Sequence, residues 1–299
     1  MEYERIELPQ PRYGDVAVIR IGDTLFDTGH PAPVSRRALR AALDGPLADI
    51  ERVVHTHPHV DHVGGSQTVD TVADLPHLVP AGSVSIITDY VTYLRRAREE
   101  MTRLQAGFGL EPGTFEEYFP VDESYAEDRI HIDRELEDGD VIVVADRELE
   151  AVSTPGHADP HLGFYHEPSG TYFSGDLVDP NGRFQYGPLL ADVGDYKTSL
   201  RRVQSLSPDQ IVPMHGEPIS DPDAHLERSI ENAETTERRL LEFHDGHSRW
   251  YAREFVADEL GVTDGRAPFL TLVTYEYLRH LEERGLLEMA VTEDGIFVE

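Results

Sequence analysis

The chain has 299 residues, enough for one large core or for one core with a small appended module. It contains no cysteine, which excludes disulfides and cysteine-bound zinc, and no apolar run close to the roughly 20 residues that a membrane-spanning helix needs. Asp and Glu number 57 against 26 Lys and Arg, a formal net charge of −31 that is spread along the chain rather than gathered in an acidic tail.

The basic residues are as unusual as the acidic ones, because Lys197 is the only lysine. Evenly spread carboxylates with lysine almost eliminated are typical of proteins from halophilic archaea. In multimolar salt the Debye length is below about 3 Å, so repulsion between surface carboxylates is largely screened. We therefore predict a halophilic protein, the alternative being an ordinary acidic one. Residues 1–10 are charged and lack the apolar run of a signal peptide, which predicts a cytoplasmic location.

Hydrophobic periodicity predicts short strands and helices along most of the chain. The predicted strands are 16–21, 24–26, 49–54, 83–88, 130–136, 141–145, 149–153, 162–166, 171–174 and 210–213. The predicted helices are 35–43, 90–104, 195–206 and 222–243. Two β-rich halves, each covered by helices, predict an α+β fold, a four-layer αββα sandwich. Residues 107–128 are rich in aromatic side chains but have little periodicity, and a lid and a structured loop are both open interpretations.

The pattern changes after about residue 240. Helices over 249–260 and 269–284, followed by a hairpin over 286–298, predict a small C-terminal winged-helix-like module. A helical cap packed on the main domain is the alternative. From residue 249 onward there are five arginines and eleven acidic residues, whereas a surface that binds DNA or RNA should be basic. A cap or interaction module is therefore favoured, and the predicted domains are 1–240 and 241–299.

The strongest chemical signal is the segment Thr56-His57-Pro58-His59-Val60-Asp61-His62, which directly follows a predicted strand. It brings three imidazoles and one carboxylate within six residues. We predict a loop over 56–65, because a helix through these positions would scatter His57, His59, Asp61 and His62 around its axis. Neutral imidazole and carboxylate suit zinc, and also iron or manganese.

Three further candidate ligands stand just after predicted strands. His157 follows Thr154-Pro155-Gly156, Asp176 follows Ser174-Gly175, and His215 is followed by Gly216. Singly, such residues are more often hydrogen-bonded turn residues than ligands. Together, at one edge of a predicted sandwich, they argue for one shared metal site. The predicted metal ligands are His57, His59, Asp61, His62, His157, Asp176 and His215.

This set resembles the signature of the metallo-β-lactamase superfamily, an H-x-H-x-D-H loop followed by a later His, an Asp and a final His. The resemblance covers roughly residues 15–220. It implies that His57, His59 and His157 hold one divalent ion. It also implies that Asp27, in Leu25-Phe26-Asp27-Thr28-Gly29, braces the histidine loop rather than binding metal.

The resemblance further implies a second ion, held by Asp61, His62 and His215, with Asp176 bridging the two. Because Asp61 and His62 are both present, the two-metal form, most commonly with zinc, is favoured over a single-metal iron form. Two such ions about 3.5–4 Å apart yield a bridging hydroxide near neutral pH. Asp61 is the candidate catalytic residue that orients this nucleophile or assists proton transfer.

Substrate class is the least constrained part of the prediction. The compact spacing from His157 through Asp176 to His215 resembles the glyoxalase II and lactamase-β-2-like group, which implies a hydrolase of a small ester or thioester. The alternative is an endoribonuclease or phosphodiesterase of the lactamase-β-2-like type, with RNA as partner. A third hypothesis is a non-catalytic member that keeps its metals and binds a partner. No membrane is expected, and a homodimer is compatible with the sequence.

Residues near the ligands supply weaker candidates. Arg183 could meet an anionic group of the substrate, with Phe184 and Tyr186 as a wall, and simple packing roles are an equally good interpretation. His161 is a candidate for orienting a ligand by a hydrogen bond. His55, just before the histidine loop, is interpreted as a packing residue.

Overall fold

The computed structural model describes residues 1–11, 14–104, 130–185, 187, 189–292 and 294–299. The described strands are β1 (Glu4–Leu8), β2 (Val16–Ile21), β3 (Thr24–Phe26), β4 (Arg52–Val54), β5 (His77–Pro80), β6 (Ile132–Leu136), β7 (Val141–Val144), β8 (Arg147–Ser153), β9 (Leu162–His166), β10 (Thr171–Phe173), β11 (Gln210–Val212), β12 (Trp250–Tyr251), β13 (Met289–Thr292) and β14 (Gly295–Val298). The described α-helices are α1 (Pro33–Leu43), α2 (Val60–Thr68), α3 (Asp70–Ala73), α4 (Val84–Thr88), α5 (Tyr90–Leu104), α6 (Val193–Leu206), α7 (Pro222–Gly246), α8 (Ala252–Glu254) and α9 (Ala267–Glu283). The predicted irregular segment 107–128 lies outside the described residues.

The described strands form three sheets. The first has the order β1-β2-β3-β4-β5-β6, antiparallel as far as β3 and parallel from β3 to β6. The second has the order β11-β10-β9-β8-β7 and is antiparallel except for the parallel pair β10–β11. The third is small, with β14 between β12 and β13.

The two large sheets pack face to face through aromatic side chains. The ring of Phe26 on β3 lies 5.2 Å from that of Phe164 on β9 and 6.1 Å from that of Phe173 on β10. All three are at most 1% exposed, and such rings dominate the energy of a core because each buries a large apolar area. The helix α1 contacts β1, while α6 and α7 pack on each other. The mixed α+β fold is thus confirmed.

One predicted strand is wrong. Residues 83–88 alternate in polarity, but Val84–Thr88 is the helix α4. Gly82, with φ +85°, turns the chain, and the Ser83 hydroxyl donates to Pro80 O at 2.6 Å. The place in the sheet between β4 and β6 belongs instead to β5, His77–Pro80, which its sequence did not signal.

The C-terminal segment was predicted in part. The expected helix over 249–260 begins as strand β12, which pairs with β14, and becomes helical only from Ala252. The helix α9 and the β13–β14 hairpin follow as expected. The boundary at residue 240 and the winged-helix interpretation stay predictions; α7 continues across that residue. Among the described helices, none is long and apolar enough to cross a membrane.

The only lysine of the chain ties this segment to the main body. Lys197 on α6 is 9% exposed, and its ammonium group forms an ion pair with Glu237 on α7. His280 on α9 places Nε2 3.3 Å from the same carboxylate. Removing one partner would leave a buried charge uncompensated, which is strongly destabilising. The three helices α6, α7 and α9 therefore meet at one buried charged cluster.

Candidate metal centre

The histidine-rich segment leaves the middle of the first sheet. Strand β4 pairs with β3 and β5, and the chain beyond it carries His57 and His59 before α2 begins at Val60. Asp61 and His62 therefore lie in the first turn of a helix, so the predicted loop over 56–65 is wrong from residue 60 onward. The four side chains still converge on one site, because the segment after the strand supplies the first two candidate ligands and the start of the helix supplies the other two.

Three histidines form the first group of candidate ligands, here called the three-histidine group: His57, His59 and His157. One ligand atom from each lies within 4.8 Å of the others, and His59 Nδ1 is 2.8 Å from His157 Nε2. All three are at most 6% exposed. Burial lowers the pKa of each, so the rings are neutral and their lone pairs are available.

Asp61, His62 and His215 form the second group, here called the mixed group, with ligand atoms again within 4.8 Å of one another. His215 Nε2 lies 3.3 Å from Asp61 Oδ2, and His62 Nε2 lies 3.7 Å from Asp61 Oδ1. The side chains of Asp61 and His215 are each 15% exposed. The site therefore opens to solvent on the side of the mixed group.

Asp176 joins the two groups. Its Oδ2 lies 3.3 Å from Nε2 of both His62 and His215, and 3.6 Å from Nε2 of His157. Its Oδ1 is buried without a hydrogen-bond partner, as is Nε2 of His57 and of His62. Unpartnered buried polar atoms are costly and rare. Several of them in one cluster of imidazoles and carboxylates fit divalent metal ions, which such atoms would bind.

Charge in the mixed group is balanced without metal. Burial lowers the pKa of His215, but Asp176 and Asp61 outweigh burial and raise it to about 10. In the same way, burial lowers the pKa of His62, while Asp176, Asp61 and Asp27 raise it well above its ordinary range. Burial raises the pKa of Asp61 and Asp176, but the neighbouring histidines lower both below the ordinary range. Metal binding here must displace protons.

Asp27 holds the strand end and the helix start together. It also lies with His57 and His62 in a third group whose ligand atoms are within 4.8 Å of one another, so its role as a brace rather than a ligand stays a prediction. Its Oδ1 accepts from Thr56 N at 2.9 Å, and its Oδ2 accepts from Thr56 Oγ1 at 2.7 Å and from His62 Nδ1 at 2.8 Å. The bond from Nδ1 leaves His62 Nε2 facing the site. Burial raises the pKa of Asp27, but His62 and His55 lower it to about 2, so Asp27 is ionised.

His161 and His55 are two further buried histidines near the candidate ligands. His161 Nε2 accepts from Asp176 N at 3.2 Å, and its Nδ1 lies 2.9 Å from Thr154 Oγ1, so it fixes the backbone of Asp176. His55, interpreted as a packing residue, is fully buried but polar in its contacts: its Nε2 lies 3.2 Å from Ser66 Oγ, and its Nδ1 lies 3.5 Å from Asp27 Oδ1.

Three residues were predicted to lie beside the substrate, and the structure bears on them differently. Phe184 is not a wall of the site, because it is buried between the rings of Tyr196 and Tyr277. Arg183 is exposed, and its contact with substrate stays a prediction. Tyr186 lies outside the described residues.

Sequence reasoning missed Gln10, whose Nε2 lies 3.3 Å from Asp61 Oδ2. Its other amide atom, Oε1, is buried without a partner. No motif surrounds this residue, and only the pairing of β1 with β2 brings the chain near the site. A signal for it was therefore absent from the sequence.

A sandwich with histidines and aspartates gathered at one edge is the architecture of a metallo-hydrolase. A family model described as the metallo-beta-lactamase superfamily matches residues 11–215, and the chain belongs to that superfamily. It is 30% identical over 256 residues to the probable metallo-hydrolase YqjP of Bacillus subtilis, which covers 79% of each chain.

Other proteins are also similar to this chain in sequence or in fold. A beta-lactamase-like protein 2 homolog of Caenorhabditis elegans is 27% identical over 218 residues, 73% of this chain and 60% of that protein. An atrochrysone carboxyl ACP thioesterase of Aspergillus fumigatus is 26% identical over 218 residues, 73% of this chain and 40% of that protein. A metallo-beta-lactamase family protein of Thermus thermophilus superposes with a TM-score of 0.78 at 22% identity, over 99% of this chain and 97% of that one, which shows the shared fold.

Proposed function

We propose that the protein is a dinuclear metal-dependent hydrolase of small esters or thioesters. The position of Asp176 carries this proposal, because its carboxylate lies within 3.6 Å of nitrogens from both ligand groups. A bridging carboxylate of this kind suits two ions, one on each side. Zinc fits the imidazole-rich set, and iron or manganese would fit it too.

Divalent ions in such a site lower the pKa of a coordinated water and polarise a substrate carbonyl. The residues of the chain prepare the site for this chemistry. Asp61 is ionised and lies at the open side, so its carboxylate accepts a hydrogen bond from the attacking water and aligns it. Asp27 fixes the His62 ring, and His161 fixes the backbone of Asp176, so that neither ligand has to be ordered during the reaction.

Two observations favour a small ester or thioester over RNA. One relative of the chain bears the name of a thioesterase. The residues from 249 onward are strongly acidic, and polyanion binding would gain little from counterion release at high salt, where affinity falls steeply. Arg183, exposed and near Asp176 in the sequence, is the candidate contact for one anionic group of the substrate.

The test is a substrate panel of thioesters, activated esters, lactones, phosphodiesters and short RNAs, assayed at high KCl with Zn²⁺ or Mn²⁺ added. We expect turnover of an ester or thioester by the intact chain and none by the His59→Ala variant. Efficient RNA cleavage that disappears with His59→Ala would instead establish the endoribonuclease alternative. Two bound ions with no turnover of any substrate would favour a metal-binding interaction protein.

A further inference from the structure

The loop that follows Asp176 in the chain lies directly on the three-histidine group. The carbonyl oxygen of Gln185 accepts a hydrogen bond from His157 Nδ1 at 3.2 Å. This bond keeps the proton on Nδ1 and leaves Nε2 free to bind. At Gly187 a Cβ atom would lie 1.9 Å from His157 O and 2.6 Å from His59 Cε1, so the backbone packs closely against both ligands.

Phe184, the residue before Gln185, is held by rings from two helices. Its side chain is 6% exposed, and its ring lies 5.0 Å from that of Tyr196 on α6 and 5.9 Å from that of Tyr277 on α9. Both contacts are edge-to-face, the geometry that aromatic pairs prefer. Phe184 directly precedes Gln185, so only the φ and ψ rotations of Gln185 separate the peptide next to this anchored ring from the carbonyl that orients His157.

The helix that carries Tyr277 is itself fixed. The buried cluster of Lys197, Glu237 and His280 joins α9 to α6 and α7. The start of α6 in turn contacts the ligand turn, since Asp192 N donates to Gly156 O at 2.7 Å, one residue before His157. A continuous set of contacts therefore runs from the C-terminal segment to the three-histidine group.

We propose that Tyr277 is a positioning residue for that group. By holding Phe184, it keeps Gln185 O against His157, so that the C-terminal segment sets the affinity of one of the two metal positions. The inference rests on the metal centre of the proposed function, but it concerns metal binding alone and requires no substrate.

The experiment measures Zn²⁺ binding to the full chain at high KCl, in competition with a chromophoric chelator. Residues that orient a metal ligand typically contribute about 10- to 100-fold to affinity. We expect Tyr277→Ala to lower the affinity for one Zn²⁺ by about this factor and to leave the affinity for the other Zn²⁺ unchanged. Tyr277→Phe keeps the ring and should bind both ions as the unaltered chain does. Tyr277→Leu takes the place of Tyr277→Ala if the latter does not fold.

Phe255→Ala is the matched control. Phe255 is fully buried in the same C-terminal segment, but its ring packs against Phe243 and Trp250 rather than against Phe184. It should lower the unfolding temperature without changing Zn²⁺ affinity. In the His59→Ala background, which lacks the three-histidine ion, Tyr277→Ala should have no further effect on the remaining ion.

Two results would overturn the inference: full affinity for both ions in Tyr277→Ala, or equal weakening in Phe255→Ala. Either leaves the proposed function standing, provided that the unaltered chain binds two ions. An unaltered chain that binds none of Zn²⁺, Mn²⁺ and Fe²⁺ would refute both.

Discussion

The two ligand groups differ in charge and in exposure, although they share Asp176. The three-histidine group is closed to solvent and its histidines are neutral, because burial lowers their pKa. The mixed group is more open, and its Asp61, together with the shared Asp176, raises the pKa of His62 and His215, so that these two histidines keep their protons. One position is thus ready to bind an ion, whereas the other must first release protons. The difference teaches that two ligand groups sharing one carboxylate can differ in how strongly metal binding to them would depend on pH.

Loss of the shared carboxylate should have the largest effect, because it touches both groups. We expect Asp176→Ala to reduce hydrolysis by more than the roughly 100-fold seen for residues that only orient a ligand, and to lower the metal content below two ions per chain. Metal analysis and single-turnover rates check this. Full activity in Asp176→Ala would rule out that the Asp176 carboxylate is a ligand shared by the two groups.

Single-ligand variants separate the groups. His59→Ala should remove the ion of the three-histidine group and leave one ion per chain, while His215→Ala should remove the ion of the mixed group. Each variant lacks one of the three residues that belong to a single ligand group, so only the ion of that group should be lost. Metal content after dialysis, with circular dichroism as a check on folding, measures the outcome. Loss of both ions in both variants would show that the two positions are not independent.

Salt separates the surface charges from those of the site. Raising KCl from about 0.1 M to 2 M shortens the Debye length from about 10 Å to below about 3 Å, which screens exposed carboxylates but hardly affects buried pairs. We expect the unfolding temperature to rise and the number of ions per chain to stay constant. Equal unfolding temperatures at both salt concentrations would reject the halophilic interpretation.

pH should act on the mixed group. The pKa of His215 in the folded, metal-free chain, raised to about 10 from an ordinary 6.5, means that this imidazolium contributes stability below about pH 6.5. That contribution is lost as the pH rises through about 10. The unfolding temperature of chelator-treated protein should therefore fall between pH 7 and 10, and less so in His215→Ala. Scanning calorimetry would contradict this if the metal-free chain were equally stable across that range.

Gln10 should give the smallest effect. Gln10→Ala removes the 3.3 Å contact with Asp61 Oδ2, so the ion of the mixed group should bind up to about 10-fold more weakly and the other ion equally well. Glu7→Ala, an exposed change on the preceding strand, is the control. Equal Zn²⁺ affinities in the two variants would show that Gln10 does not hold Asp61.

The candidate ligands could be singled out in the sequence because their signal is local; that they bind metal stays a prediction. Five of the seven stand beside glycine or proline, and the other two, Asp61 and His62, belong to the same short histidine-rich segment. Seven such residues together leave few other interpretations. Short elements were harder: β5 contains His77 and Pro80, and nothing in four residues distinguishes it from a loop. Gln10 and Phe184 were missed or misinterpreted for another reason. Their roles depend on residues more than 50 positions away in the sequence, namely Asp61 for one and Tyr277 for the other.

The burial of Lys197 has a practical consequence. A lysine-specific endoprotease has a single target bond in this sequence, between Lys197 and Thr198, and it lies within α6 beside the Glu237 ion pair. Cleavage there requires the helix to open, since proteases need an extended, accessible chain. One cut yields two fragments of defined length. The rate of their appearance would therefore report, at a single known position, how often α6 separates from α7 and α9.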